Sequence, residues 1–178
     1  VGWNFDIATR WQLVANVGVG FRAPNIFDLG TLGNRPGNRF NIPNTNLGVE
    51  EALHGDFGVR FRGDKAEFDL VIYALQYNDR ITSVGTGETT PDGRDVVQSV
   101  NAADAIFRGA ELGLNVTIGD AMRVESILNY AWGEQEVGFI TEPADRVPPL
   151  NGRVSFYLDS SDKLTWAAHI EGATDQDR

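Results

Sequence analysis

The side chains able to do chemistry in this sequence are few, and they are spread along the chain rather than gathered in one motif. His54, Asp56, Arg60 and Arg62 fall on the even positions of one run, which puts four titratable groups on one face of a strand. Glu67 and Asp69 follow one short turn later, at the spacing that lets Arg60 and Arg62 pair with them across strands. Arg35, Arg39, Phe40 and Asn41 sit in a long polar segment and are the candidate ligand contacts. A guanidinium grips an anionic group through two parallel hydrogen bonds. The alternative use of Arg35 and Arg39 is to pin their segment to Glu50 and Glu51. His54 alone reads as a solvated wall residue rather than a metal ligand, and Pro91-Asp92-Gly93 reads as a turn. The sequence has no Gly-x-Ser-x-Gly elbow, no His-Glu-x-x-His, no P-loop and no dinucleotide fingerprint. With Cys at 0, disulfides and thiolate metal sites are excluded. The expectation is therefore no catalytic residue, no metal and no cofactor.

The elements that must carry these groups alternate with period two. Trp11, Leu13, Ala15, Val17, Val19 and Phe21 are apolar, against Gln12, Asn16, Gly18, Gly20 and Arg22. The same alternation marks residues 3–7, 53–62, 67–74, 109–118, 123–132, 153–158 and 164–170, giving eight candidate strands in all. Several are about ten residues long, the length of a tilted strand crossing a bilayer. Their connections alternate too. Residues 8–10, 63–65, 119–121 and 159–163 make tight turns, while 23–52, 84–100 and 137–149 make long loops. Short turns on one rim and long loops on the other is the asymmetry of outer-membrane barrels. Trp11 and Trp166 follow short turns, whereas Phe21, Tyr130 and Trp132 lie near long loops, as two interfacial aromatic belts require.

Composition sets the outer bounds. Apolar residues make up 42% of 178 residues and Gly numbers 20, with no apolar run near the ~20 residues of a membrane-spanning helix. A formal charge of −10 argues against a nucleic-acid partner. No signal peptide is present; residues 1–6 already read as strand, which predicts a mature form or a fragment.

Four boxes in order carry a family resemblance. Phe21-Arg22-Ala23-Pro24-Asn25 is followed by Ile42-Pro43-Asn44-Thr45-Asn46-Leu47 and Glu50-Glu51. Then come Asn101, Ala105, Gly109 and Glu111, and finally Asp145-Arg146-Val147-Pro148-Pro149-Leu150-Asn151-Gly152-Arg153. Together they resemble the barrel domain of TonB-dependent outer-membrane receptors of the siderophore, haem and cobalamin type. The resemblance implies an all-β, antiparallel transmembrane segment of about eight strands from a plugged barrel of about 22. It also implies import of a scarce ligand such as a ferric siderophore, driven by the TonB–ExbB–ExbD complex through a plug. Outer-membrane lipid, lipopolysaccharide and an iron chelate would be the partners, in a Gram-negative outer membrane. Residues 1–178 would then be a partial barrel domain without the plug or the closing C-terminal strands, since residues 172–178 lack an aromatic terminal strand. Haem receptors usually carry a His between the first two boxes; residues 25–45 have none. Pro24 ends strand pairing, and Gly109 and Gly113 leave the lumen side thin for a plug or loop to approach. The rival readings are a complete eight-stranded barrel with a structural or adhesion role, a passive porin and a soluble β-sandwich binding module.

Overall fold

The computed structural model describes residues 1–137, 140–144 and 147–175. In chain order it contains β1 (Gly2–Ala8), β2 (Trp11–Arg22), α1 (Ile26–Gly30), β3 (Gly33–Arg35), β4 (Arg39–Ile42) and β5 (Glu50–Arg62). There follow β6 (Ala66–Thr89), β7 (Asp95–Ile118), β8 (Met122–Val137), β9 (Ile140–Pro143), β10 (Asn151–Ser161) and β11 (Leu164–Ala173). One sheet holds all the strands, along the path β1-β2-β5-β6-β7-β8-β10-β11, with every neighbour on that path antiparallel. The eight segments expected from alternation are the eight strands of this path. Among the described residues β1 and β11 have one neighbour each, so the sheet does not close on itself.

Register turns the alternation of each strand into two continuous faces. Leu13, Val59, Leu70, Leu112 and Leu128 lie side by side in one row. The rows on either side of it hold Phe57, Ile72 and Ala110, and Phe61, Phe68 and Leu114. A shift of one residue would put all of them on the other face, so the apolar pattern itself fixes the pairing. The apolar face stays open: Phe5, Val19 and Trp166 are 65%, 82% and 61% exposed. The opposite face carries Gln12, Arg60 and Asp69 in one row and Asn16, Asp56 and Tyr73 in another. Asp69 accepts the approach of both arginines, with Arg60 at 3.2 Å and Arg62 at 2.8 Å, so the expected charge ladder converges on one carboxylate. At the short-turn rim Trp11 packs against Phe61, ring centres 4.8 Å apart.

Two expectations change. The segment 84–100 is not a long loop. β6 and β7, each 24 residues, continue as a hairpin to a tight turn at residues 90–94. At ~3.3 Å per residue each strand is about 80 Å long, far more than a bilayer crossing needs. Gly85, Gly87 and Pro91 mask this in the sequence, and the adjacent Val96 and Val97 are both buried, which erases period two. Gly109 does not leave open space either: a β-carbon there would overlap the Tyr73 ring and lie 2.5 Å from the Tyr130 carbonyl oxygen. The glycine gives room to its cross-strand tyrosine. Gly113 is open by comparison, with only the Asp69 β-carbon within 4 Å, at 3.8 Å.

Candidate functional site

The solvent-excluded residues gather at one end of the sheet. Apart from Val14, Gly58 and Ser155, those described as buried lie at or near the long-loop rim or above it, including Asn41, Glu50, Val96, Val97 and Ser99. A cap is built there from the first long connection and the β6–β7 hairpin.

The cap starts at the end of β2. Pro24 stops the strand, and Asn25 caps α1 by accepting hydrogen bonds from the Phe27 and Asp28 amides at 2.8 and 3.1 Å. Asp28 returns the favour to the Asn25 amide at 3.0 Å, completing a capping box. Arg22 bridges Asp28 at 2.8 Å and the buried Glu50 at 3.0 Å. Glu50 also accepts the Ile81 amide at 3.0 Å, so one carboxylate joins β2, β5 and β6. The ion pair expected for Glu50 therefore exists, but Arg22 makes it, not Arg35 or Arg39.

From α1 the chain turns through the β3–β4 hairpin, where Asn38 takes φ 56°. β4 then lies parallel to β7, Arg39–Ile42 beside Asp95–Gln98, the one parallel ladder among the described residues. Side chains stitch this seam. Asn38 donates to the Gly93 carbonyl at 2.9 Å, Gln98 to the Pro43 carbonyl at 2.7 Å and Asn44 to the Ser99 carbonyl at 2.9 Å. Asn101 accepts the Gly48 amide at 2.7 Å and donates to the Gly48 and Asp79 carbonyls at 3.2 and 2.8 Å. Asp79 has φ 53° and sits where the β6–β7 register slips. At the tip, Asp92 accepts from Thr90 at 2.6 Å and from Arg94 at 2.8 Å. The Thr90 hydroxyl first, then the Arg94 guanidinium, hold the Asp92 carboxyl below its ordinary value of 3.8.

The four candidate contacts share this cap but differ in what they offer. Asn41 is 1% exposed and its amide is occupied, donating to the Thr31 and Ile42 carbonyls at 2.8 and 3.2 Å and accepting Arg35 at 3.2 Å. Phe40 is half-buried beside it. Arg35 and Arg39 are exposed, Arg39 donating to the Pro36 carbonyl at 3.0 Å. Neither faces a carboxylate within ion-pair distance among the described residues. Of the motif residues, Phe21 is exposed on the apolar face, Ala23 is exposed, and Pro24 and Leu47 are half-buried. Asn46 donates its amide to Asn44 at 3.0 Å. Glu111 faces the polar side in register with Asn129. Pro149 accepts from Asn151 at 2.8 Å, and Pro148 is exposed. Asp145 and Arg146 of the last box lie outside the described residues, as do residues 176–178. Sequence reasoning passed over Asn38, Gln98 and Asp79. Asn38 and Asp79 left a trace, since Asn and Asp are the residues that tolerate the left-handed conformation both adopt.

No curated protein matches the chain by sequence. Among solved structures it is similar to the copper transporter OprC, with 24% identity, TM-score 0.71 and 94% of this chain covered. It is also similar to the siderophore receptor PirA from Pseudomonas aeruginosa, with 20% identity, TM-score 0.70 and 96% covered. A third is the Serratia marcescens hemophore receptor HasR, solved with its hemophore HasA and heme, with 17% identity, TM-score 0.80 and 96% covered. The chain spans 24%, 32% and 31% of those three chains, respectively. The profile of the TonB dependent receptor-like, beta-barrel family matches residues 1–175. The chain belongs to that family.

Proposed function

We propose that this chain is part of the wall and outer cap of a Gram-negative outer-membrane receptor that imports a scarce anionic ligand, a ferric siderophore being the best fit. The apolar face meets lipid and lipopolysaccharide, and the polar face lines the lumen. The wall is a partial barrel domain. The plug and closing strands of the full receptor, and the TonB–ExbB–ExbD complex that would act through that plug, complete the reading.

The carrying observation is the pair of exposed guanidiniums of Arg35 and Arg39, in no ion pair among the described residues, on a cap tied together by hydrogen bonds. Fixed cations suit an anionic chelate, because little side-chain order is lost when the ligand binds. Copper finds less here: the chain has no Cys, one Met and two His, and both His54 and His169 lie on the wall strands. The test is growth of a strain carrying the full receptor, starved of iron and supplied with ferric siderophores, haem or cobalamin in turn. Arg35→Ala combined with Arg39→Ala should slow growth on one ferric siderophore while the receptor remains at wild-type level in the outer membrane. Equal growth of the double variant and wild type on every ligand would overturn the assignment of these arginines.

A further inference from the structure

One basic side chain stands on the apolar face among the described wall strands. On β7 that face presents Ile106, Arg108, Ala110, Leu112, Leu114, Val116 and Ile118; Ala110 and Leu112 pair with apolar partners on both sides, Ile72 and Leu70 on β6 and Tyr130 and Leu128 on β8. Arg108 pairs in register with Ala74 on one side and Trp132 on the other, and its guanidinium lies over the Trp132 ring at 5.8 Å. It makes no ion pair among the described residues. Its row is the upper end of the apolar band, since the next rows toward the long-loop rim bring Gln76 and Glu134, then Glu51 and Asn78. Tyr130 and Trp132 mark the same level as an aromatic belt.

The row also contains a gap. Gly55 and Ala74 stand opposite each other between Val17 and Arg108, with Leu53 and Ile106 in the row above. Two small residues flanked by larger ones leave a shallow, largely apolar hollow of about 290 Å³, with Gln76 in its upper wall and Arg108 at its edge. A cation facing hydrocarbon at mid-membrane costs several kcal/mol, but near the interface the cost falls to about 0–1 kcal/mol. There an arginine can hold a phosphate with a forked pair of hydrogen bonds. In a chain of net charge −10, an outward arginine that makes no ion pair among the described residues is free to hold an anion from outside.

We propose that Arg108 and the hollow beside it form an outward-facing seat for a phosphorylated, acylated lipid of the outer leaflet. The phosphate meets the guanidinium, and one acyl chain lies along Gly55 and Ala74. The proposal rests on the outer-membrane reading above. Charge complementarity and the joining of an apolar hollow to a cation at the aromatic belt select a lipid over a protein.

The test uses the purified, delipidated full receptor titrated with bis-phosphorylated lipid A, with bound lipid counted by native mass spectrometry. Wild type retains the lipid. Arg108→Gln weakens retention about fivefold, the equivalent of the ~1 kcal/mol that one basic residue contributes at a charged lipid surface. Arg108→Lys keeps most of it, and Ala74→Leu weakens it by filling the hollow. Enzymatically dephosphorylated lipid A binds wild type and Arg108→Gln equally weakly. The seat is refuted if Arg108→Gln retains lipid A as wild type does, or if the dephosphorylated lipid binds as tightly. It is refuted too if a photocrosslinker at position 108 captures a second receptor chain instead of lipid. Each variant is first shown to migrate heat-modifiably from outer-membrane fractions. Wild type failing that check would sink the membrane reading and the seat together, whereas passing it with no Arg108 effect would sink the seat alone.

Discussion

The wall and the cap of this protein are held by different means. In the wall, long strands pair in register that slips only beside the short turns, while large apolar side chains such as Phe5 and Trp166 stay exposed on one face. In the cap, buried residues such as Asn41, Glu50 and Ser99 are polar, and most links run from a side chain to a backbone group on another element. The wall is thus fixed by pattern repeated over many residues, and the cap by a few particular donors and acceptors. Damage to the first should be global and damage to the second local.

The largest expected effect tests the wall. Leu70→Arg places a cation mid-row on the apolar face and should cost about 2–4 kcal/mol of barrel stability. Urea unfolding of the full receptor in lipid should shift accordingly and heat-modifiable migration should weaken. A wild-type midpoint would mean that this face does not meet lipid. Next, Gly109→Val forces a side chain into the Tyr73 ring and toward the Tyr130 carbonyl. Overpacking of this kind costs about 1–3 kcal/mol. Adding Tyr73→Ala should restore only part of it, because the Tyr130 carbonyl stays in place.

A smaller, local effect tests the cap. Asn101→Ala leaves the Gly48 amide and the Asp79 carbonyl without their partner and should cost about 1–2 kcal/mol of local stability. Hydrogen exchange should speed up in residues 43–49 and 95–99, with the wall amides of β2 and β5 unchanged. Faster exchange throughout the wall would dissolve the distinction between the two regions. The smallest effect is at the hairpin tip. The folded state holds the Asp92 carboxyl below its ordinary 3.8, so its contribution is fully present above that value and is lost as pH falls through the depressed one. Protection of the Thr90 and Arg94 amides, relative to their intrinsic exchange, should therefore fall as pH drops below the ordinary 3.8 and through the depressed value. In Asp92→Asn that pH dependence should be gone.

The same contrast explains what the sequence made legible. Each wall strand has one apolar-side and one polar-side set, so period two located all eight and their short turns. It failed where both faces are covered, at Val96 and Val97, and where strands are too short to alternate, at β3, β4 and β9. The boxes at Arg22, Asn44 and Asn101 were visible as residue types in order, but their work was not. Asn101 meets Gly48 and Asp79 only once three separate segments have folded together, and no local spacing encodes that meeting.

The parallel strand β4 has one further consequence. Where β7 rises past the end of β8, at residues 95–98, its outer edge would offer a row of unpaired amides and carbonyls. Such an edge is a template for any neighbouring chain. β4 occupies it, while the free flank of β6 is broken by the left-handed Asp79 and by Gly87 at φ +83°. The flank of β7 at residues 95–98 is thus closed by the chain itself, and a neighbouring ribbon meets no run of free backbone groups there to pair with.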